Sequence, residues 1–406
     1  MKANKKTFYD IAIVGGGIIG LATAYQLSKQ FKNQIKVILF EKESQIAQHQ
    51  SGRNSGVIHS GVYYQPNSLR AKLCLQGHKQ LIQFANEHNI EYKLSGKIIV
   101  ATDDAELNGL NTIYKKGIAN KIDGLKQINQ QEIKSIEPNC EGLKGIWVPT
   151  AGTINYKQVC QQLKNKFIDF GGAITTNFKL KQLKHTNGLY YLSNSAQKIF
   201  AKNLICCGGA QADRLVKLEG LKPKVKIVPF KGEYYQLLKP NLVNGLIYPV
   251  PNPNFPFLGV HFTKGINGVV ECGPNAVLGF HREAQKSYDF NWADNIATFS
   301  NIGFWRMGIK HFKYGWEEQV RSWSKKVFLK SLQKMIPSID INDIVKSRFG
   351  VRAVVLKLDG SMPDDFIFEQ TETSLHVLSA PSPAATASLA IGNYISKKAV
   401  TNFGLQ

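Results

Sequence analysis

One segment near the start of the chain constrains its fold more than any other. Its parts follow one another without a gap: an apolar run at residues 8–14, the glycines Gly15, Gly17 and Gly20, a helical pattern at 18–30, and a second apolar run at 35–40 that ends in Glu41. In such a G-x-G-x-x-G turn the glycines permit a tight turn, a close approach to a pyrophosphate and close helix–strand packing. This order predicts a Rossmann-like dinucleotide site.

The residues around this turn limit which dinucleotide it can bind. The first helix would present its N-terminus to the phosphates. Glu41 could accept hydrogen bonds from a ribose diol, and its charge disfavours the 2′-phosphate of NADP. The turn alone does not distinguish FAD from NAD.

Composition sets the class of protein. The chain has 406 residues, 43% of them apolar and 20% charged, which predicts a globular protein of two or three domains. Its net charge of +22 would attract nucleic acid, acidic lipid or carboxylate substrates. Since no tight basic run is interleaved with aromatics as a nucleic-acid face requires, we expect no nucleic-acid partner and assign most of the charge to solvated lysines. The six cysteines form no C-x-x-C pair, which favours a reducing, cytoplasmic location.

The rest of the chain predicts a nucleotide domain interrupted by a second domain. Residues 203–206 predict a buried strand that runs into Gly208 and a helix from Ala210, as in a discontinuous nucleotide domain. Residues 224–275 predict β-hairpins, with strands at 245–250, 257–262 and 268–272, whereas 287–336 read as helical. We expect an α/β fold: a nucleotide domain at 1–90, 151–222 and 344–406, and a sheet-rich α+β substrate domain inserted at 91–150 and 223–343.

Several blocks carry a family likeness. They are residues 51–64 (SGRNSGVIHSGVYY), 69–74 (LRAKLC), 228–235 (VPFKGEYY), 248–251 (YPVP), 255–262 (FPFLGVHF), 273–276 (GPNA) and 380–391 (APSPAATASLAI). With them the chain resembles the L-2-hydroxyglutarate oxidase/dehydrogenase family over nearly its whole length. The resemblance implies the FAD-binding fold of D-amino-acid oxidases, FAD as cofactor, no metal, and oxidation of L-2-hydroxyglutarate to 2-oxoglutarate, with quinone or oxygen taking the electrons. Three positions depart from what is common in that family, namely Arg53 for His, Lys231 for Arg and Val354 for Gln.

The same resemblance indicates residues that contact FAD. Besides the glycine turn and Glu41, they are Ser51, Arg53, Asn54, Ser55 and Gly56, then Gly208, and finally Ser382, Ala384, Ala385 and Thr386. The last group precedes a helix whose N-terminus could stabilise negative charge on the reduced flavin. The alternative is that this proline-containing segment only begins a helix.

Oxidation of an α-hydroxy acid requires a grip on the carboxylate and a base for the hydroxyl proton. Arg352 is the candidate clamp, because a guanidinium matches a carboxylate in bidentate fashion; the alternative is an ion pair with Asp359, Asp364 or Asp365. His59 is the first candidate for the base, and otherwise it contacts FAD or fixes its loop. His261 competes with it, although a histidine on a strand is often a satisfied core residue.

Further polar residues are candidates for the substrate's carboxylates. Tyr63, Tyr64, Tyr235 and Tyr248 could each donate a hydrogen bond. Lys231 and Arg282 could bind the distal carboxylate of a five-carbon diacid.

Other activities stay open from the sequence. With the same FAD fold the substrate could be an amino acid or glycerol 3-phosphate, and a non-catalytic nucleotide-binding protein would use its charge on RNA or membrane. Residues 304–327 are basic and aromatic. They suit either a peripheral contact with the inner face of the cell membrane, where a quinone would take electrons, or a helix pair packed into the core.

Overall fold

The computed structural model describes residues 8–252 and 257–405. Its strands, in chain order, are β1 (Phe8–Val14), β2 (Val37–Phe40), β3 (Val57–Ile58), β4 (Tyr92–Lys93), β5 (Lys97–Ala101), β6 (Lys126–Asn129), β7 (Lys144–Val148), β8 (Gly152–Ile154), β9 (Ala173–Thr175), β10 (Gln182–Thr186), β11 (Leu189–Ser193), β12 (Lys198–Cys206), β13 (Lys226–Leu237), β14 (Leu246–Pro249), β15 (His261–Lys264), β16 (Val270–Gly273), β17 (Val277–Leu278), β18 (Ile344–Leu356), β19 (Ile367–Gln370) and β20 (Ser374–Ser379).

The helices surround two main sheets. In chain order they are α1 (Ile18–Phe31), α2 (Leu69–Glu87), α3 (Leu107–Ala119), α4 (Gln130–Ile136), α5 (Tyr156–Asp169), α6 (Ala212–Leu218), α7 (Trp292–Phe299), α8 (Ile302–Lys310), α9 (Phe312–Trp323), α10 (Lys325–Gln333) and α11 (Ser388–Asn402).

The first sheet carries the glycine turn. Its strands run in the order β10-β11-β12-β1-β2-β9, with β20 also pairing with β12 and β19 with β20. The pairs β12–β1, β1–β2, β2–β9 and β12–β20 are parallel. Strands β1 and β2 are buried on both faces, since α1, α5 and α11 cover one side and the β10–β12 hairpins with their apolar residues cover the other. This is the layer order that buries a parallel sheet.

The second sheet builds the substrate side of the molecule. Its order is β17-β13-β16-β15-β14-β5-β7-β6, and β18 pairs along nearly the full length of β13. Helix α10 packs on one face through Phe328 and Leu332. Strands β3, β8 and β4 form a small third sheet that ties the loop after residue 51 to the second sheet.

The predicted fold class is confirmed, and several predicted bounds are corrected. Strand β18 belongs to the second sheet, so residues 344–356 do not lie in the nucleotide domain as predicted. The reason is that this strand of 13 residues forms its antiparallel backbone pairing with β13. The strand predicted at 257–262 begins at His261, and the helices predicted from 287 begin at Trp292. Helix α11 extends beyond residue 395 to Asn402. Pro253, Phe255 and Pro256, part of the predicted turn and family block, lie outside the described residues.

Candidate active site

The glycine turn after β1 has the geometry that its residues predict. Gly15 has φ +114, and a Cβ there would lie 2.3 Å from the carbonyl oxygen of Cys207. A Cβ on Gly20 would lie 2.0 Å from the carbonyl oxygen of Gly15. Gly17 caps α1 without a side chain, and the hydroxyl of Ser51 accepts from the Ile18 N–H at 2.9 Å. The turn therefore accepts only glycine at two positions and leaves its helix N-terminus open to an anion.

Glu41 is held beside this turn at the end of β2. Its two carboxylate oxygens accept backbone hydrogen bonds from Gly16 at 2.8 Å and from Glu43 at 2.9 Å, and the side chain is buried. Each oxygen retains acceptor capacity for a ribose hydroxyl. A tight glycine turn, a helix N-terminus whose N-cap residue has no side chain and a fixed carboxylate fit the dinucleotide half of FAD, and these residues would hold it.

The loop after this carboxylate is fixed by a residue that the sequence reasoning missed. Arg348 of β18 donates to the carbonyl oxygens of Arg53 at 2.8 Å and Asn54 at 3.0 Å, and it also pairs with Glu271. Arg53 itself donates to the carbonyl oxygen of Ala284 at 2.8 Å, and Ser55 is hydrogen-bonded to Tyr234. The predicted FAD loop is thus clamped between the two sheets. No local pattern marks Arg348, because its partners are nearly three hundred residues away in the chain.

The segment before α11 meets the same loop. Thr386 is buried, accepts from the backbone N–H of His59 at 3.1 Å and is hydrogen-bonded to the hydroxyl of Tyr156 at 2.9 Å. The carbonyl oxygen of Ser382 accepts from Arg70 at 2.6 Å. Ala384 and Ala385 pack against the core, and α11 begins three residues later at Ser388.

Gly208 lies on the other side of the glycine turn. It follows β12, next to the Cys207 carbonyl that touches Gly15. A Cβ there would lie 2.4 Å from a methyl carbon of Leu215, so a larger residue at this position would displace the end of that side chain. The structure therefore brings the three parts of the predicted FAD surface to neighbouring positions.

Three predicted residues meet on the second sheet. The imidazole of His261 stacks on the ring of Tyr248 with centroids 3.9 Å apart, and its Nδ1 lies 2.8 Å from the carbonyl oxygen of Gly259. Burial, offset in part by that hydrogen bond, and the neighbouring Arg352 and Lys97 lower the pKa of His261 to about 3. His261 is therefore a neutral imidazole whose Nε2 is an acceptor.

Arg352 contributes the positive charge that the sequence predicts. Its guanidinium lies over the ring of Phe257, 5.6 Å from the centroid, and is hydrogen-bonded to Tyr234. Burial lowers its pKa, which Tyr234 opposes. No carboxylate within the described part of the chain pairs with it, so the alternative of an ion pair with Asp359, Asp364 or Asp365 is wrong; these acids lie on the loop beyond β18 and contact other groups.

His59 lies within electrostatic reach of His261. Burial first, then Lys97, Arg70 and His261, lowers the pKa of His59 to about 3. Its Nε2 is 3.5 Å from the hydroxyl of Ser382, the limit of a hydrogen bond. Both candidate bases are thus neutral and share one electropositive environment.

Lys97, at the start of β5, is the member of this cluster that sequence reasoning missed. It is 1% exposed, and its ammonium lies 4.6 Å from the ring centroid of Tyr63 and 4.9 Å from that of Tyr248. A lysine that precedes four apolar residues is usually the solvated end of a strand, so the sequence offered no signal for its burial.

Three predicted substrate residues lie elsewhere. Arg282 is buried and pairs with Asp213 at 2.5 Å, Lys231 pairs with Glu233 at 2.9 Å, and Tyr235 packs on Phe328 with ring centroids 4.5 Å apart. Arg282 and Lys231 have their charges matched within the protein, and Tyr235 faces the core on the other side of β13. Tyr234, its neighbour, faces Arg352 instead. The cluster therefore does not include these three.

The comparisons with known proteins agree with this geometry. Residues 10–398 match the family described as FAD dependent oxidoreductase, DAO. Among the solved structures that resemble the chain, the L-α-glycerophosphate oxidase of Mycoplasma pneumoniae with FAD bound has a TM-score of 0.78 at 24% identity and covers 98% of this chain and 96% of its own. Glycine oxidase of Geobacillus kaustophilus has a TM-score of 0.71 at 18% identity, covering 96% and 94%. These two likenesses show the fold.

Relatives in sequence are more specific. An L-2-hydroxyglutarate dehydrogenase of Indibacter alkaliphilus is 42% identical over 97% of this chain and 100% of its own length. The Escherichia coli K12 L-2-hydroxyglutarate dehydrogenase is 41% identical, covering 97% and 93%. The human mitochondrial L-2-hydroxyglutarate dehydrogenase is also 41% identical, covering 98% and 90%. This chain belongs to the FAD-dependent DAO oxidoreductases and, within them, to the L-2-hydroxyglutarate dehydrogenase family.

Proposed function

We propose that the protein oxidises L-2-hydroxyglutarate to 2-oxoglutarate. One observation carries the proposal: two cations, the buried Lys97 and the half-buried Arg352, have no carboxylate partner among the described residues and lie close to neutral imidazoles. Lys97 lowers the pKa of both His59 and His261, and Arg352 lowers the pKa of His261. This arrangement suits an anionic substrate whose hydroxyl must lose a proton. The names of the sequence relatives support the same substrate.

The residues divide the chemistry between them. Arg352 binds the carboxylate next to the reacting carbon, since its fork offers two parallel donors and fixes the carbon's orientation. The Nε2 of His261 accepts the hydroxyl proton, and Tyr248 beneath the ring holds the imidazole in place. FAD, which the glycine turn and Glu41 would hold, would supply the acceptor for the hydride from the same carbon. His59 is the competing base and otherwise orders the flavin loop through its backbone bond to Thr386.

The test is reduction of the purified yellow holoenzyme under anaerobic conditions. L-2-Hydroxyglutarate should bleach the flavin, whereas amino acids and glycerol 3-phosphate should not. If an amino acid or glycerol 3-phosphate bleached the flavin and the hydroxy acid did not, the proposed substrate would be wrong, although the FAD-binding fold would stand.

We further propose that electrons leave to a quinone at a membrane surface. Helices α7 to α9 and the loop before them expose large apolar side chains, which we term the aromatic surface: Tyr288, Phe290, Trp292, Ile296, Phe299, Ile302, Trp305, Ile309, Phe312, Trp316 and Trp323. Trp292 is 75% exposed and Trp323 69%, so these residues do not form the core-packed helix pair that was the alternative. Lysines at 310, 313, 325 and 326 flank them. Exposed aromatics beside lysines suit an anionic bilayer surface.

A cavity supports the same route for electrons. It is a mainly apolar pocket of about 290 Å³ that borders the aromatic surface. Its lining includes Phe312 and Trp316 of the aromatic surface and Phe257, whose ring lies under Arg352. A quinone ring is apolar and planar, which such a lining accommodates.

No helix within the described residues is long and apolar enough to cross a membrane. The surface contact is tested by flotation of the holoenzyme with vesicles containing phosphatidylglycerol. Replacing Trp292 and Ile309 by Ser should weaken flotation, whereas Ile118→Ser on α3, which is also exposed, should not. Equal flotation of all variants would contradict the proposal.

A further inference from the structure

Lys97 occupies a place in the fold that is unfavourable for a lysine. It begins β5, where its backbone pairs with Leu246 of β14 and Val148 of β7 in the middle of the second sheet. Every residue of β5 is buried, and Lys97 itself is 1% exposed. Removing an ammonium from water is costly unless an opposite charge compensates it.

The protein supplies no such charge. Within residues 8–252 and 257–405 no carboxylate contacts Lys97, and the one ionisable side chain that raises its pKa is Cys74. The rings of Tyr63 and Tyr248, 4.6 and 4.9 Å away, compensate part of the charge through their electron-rich faces. The compensation is partial, which indicates that an anion from outside the chain completes the site.

A second buried group in this place also lacks a partner. The hydroxyl of Tyr63 is buried with no hydrogen-bond partner in the structure. Buried hydroxyls are nearly always hydrogen-bonded, so an orphaned one beside an uncompensated ammonium points to the same missing acceptor. A carboxylate provides several acceptor sites and a negative charge at once.

The position relative to the reacting groups identifies the anion. The ammonium of Lys97 lies 4.9 Å from the ring centroid of Tyr248, on which His261 stacks, and the charges of Lys97 and Arg352 both act on His261. Two cations thus act on one imidazole, and a short dicarboxylate has one carboxylate for each of them. Lys231 and Arg282, the sequence candidates for the second carboxylate, already pair with Glu233 and Asp213.

We infer that Lys97, together with the Tyr63 hydroxyl, binds the distal carboxylate of the substrate and makes the enzyme selective for dicarboxylates. The inference rests on the proposed function, because Arg352 must hold the other carboxylate. The pKa of Lys97 agrees with this role. Burial lowers it to about 7, and a carboxylate bound beside the ammonium would favour the charged form again. Lys97 is thus a specificity-determining residue that leaves the proton transfer to the imidazoles.

The experiment measures binding, so that it does not depend on turnover. Glutarate and pentanoate differ only in that a methyl group replaces the second carboxylate, and neither carries a hydroxyl to oxidise. Their dissociation constants for the oxidised holoenzyme are measured by titration calorimetry for the native protein and for Lys97→Met, Tyr63→Phe and Lys93→Met. Lys93 lies four residues earlier on β4 and is exposed, which makes it a matched control.

The native protein should prefer glutarate over pentanoate. Lys97→Met should reduce that preference about 100-fold, as expected when one partner of a buried ionic contact is removed. Tyr63→Phe should reduce it about 10-fold, by the loss of one hydrogen bond to a charged group. Lys93→Met should leave the preference unchanged.

Two results would overturn the inference. In one, Lys97→Met weakens both ligands equally, which would make Lys97 a structural residue. In the other, folded Lys97→Met and Tyr63→Phe both retain the native preference. Failure of the proposed function looks different: the native holoenzyme would then not be bleached by L-2-hydroxyglutarate, whatever the glutarate titrations give.

Discussion

The imidazole of His261 lies on the ring of Tyr248 with centroids 3.9 Å apart and an angle of 24° between the planes. Its Nδ1 faces the carbonyl oxygen of Gly259 at 2.8 Å. Because a carbonyl oxygen only accepts, Nδ1 carries the proton and Nε2 carries the lone pair. Two contacts therefore fix both the plane and the tautomer of the proposed base before any substrate binds.

Removal of this base should slow flavin reduction more than removal of its competitor. His261→Asn should lower the rate constant of anaerobic reduction by about 100-fold or more, the usual contribution of a general base. His59→Asn should lower it less and should also reduce FAD retention, because its backbone belongs to the flavin loop. Stopped-flow absorbance measures both rates, and His185→Asn on an exposed strand is the control. The reverse order would make His59 the base.

The pH dependence of kcat/KM should have an alkaline limb from Lys97. The pKa of this lysine is about 7, lowered by burial, whereas the pKa values of His59 and His261 are about 3. Above pH 5 both imidazoles stay neutral, so they give no acid limb there. As pH rises through about 7, Lys97 loses its proton and its attraction for the distal carboxylate, and kcat/KM should fall.

The Lys97→Met variant checks the assignment of that limb. Its kcat/KM should be low and should not change between about pH 6 and 9, the range that brackets the Lys97 pKa of about 7. The other ionisable groups facing Lys97 are Tyr63, Tyr248 and Cys74, whose pKa values burial raises. They stay neutral across the window. A limb that persists without Lys97 would contradict the assignment.

Arg352 should not tolerate lysine. Arg352→Lys retains one positive charge but loses the two-donor fork and its contact with the ring of Phe257. The expected result is a rise of about 100-fold in KM for both L-2-hydroxyglutarate and L-2-hydroxypentanoate, since each has the carboxylate next to the hydroxyl. This equal effect separates Arg352 from Lys97. An effect limited to the dicarboxylate would exchange their roles.

Gly20 should be essential for FAD retention. In Gly20→Ala the new Cβ would meet the carbonyl oxygen of Gly15 at 2.0 Å and force the turn apart. The ratio of flavin to protein absorbance after purification should drop severalfold. Gly308→Ala on α8 is the control, because a Cβ there meets nothing within 4 Å. Full flavin content in Gly20→Ala would show that the turn adjusts.

Arg282 should matter for stability. Its guanidinium pairs with Asp213 and donates to the carbonyl oxygens of Ala210 and Ile227, all in the interior. Arg282→Met leaves Asp213 buried and unpaired, which should cost about 3 to 5 kcal/mol of unfolding free energy. Urea denaturation measures that loss. The folded fraction should retain the native selectivity for dicarboxylates. A loss of that selectivity would indicate that Arg282 binds the substrate.

The parts of the molecule that depend on adjacent residues were predictable. The strand, glycine turn, helix and Glu41 lie within one short segment, so their spacing alone specifies the geometry that Gly15 and Gly20 show. His59 and Arg352 became candidates through family resemblance. Tyr248 became one because it lies in a block of that resemblance.

The parts that depend on strand pairing were not predictable. Lys97 is buried because β14 and β7 flank β5, a fact that no residue near position 97 encodes. Arg282 is a plausible substrate ligand from the sequence, because its ion-pair partner Asp213 lies 69 residues away in the chain. Tyr234 contacts Arg352 whereas Tyr235 packs on Phe328, and which of the two neighbours meets the arginine depends on the pairing of β13 with β18.

The reaction proposed for this site is the oxidation of L-2-hydroxyglutarate with FAD as the cofactor. The most direct measurement is anaerobic mixing of the purified holoenzyme with L-2-hydroxyglutarate while the flavin absorbance is recorded, with the D enantiomer mixed in parallel. We expect rapid bleaching by the L enantiomer and formation of one equivalent of 2-oxoglutarate per flavin. A yellow protein that the L enantiomer does not bleach would contradict it.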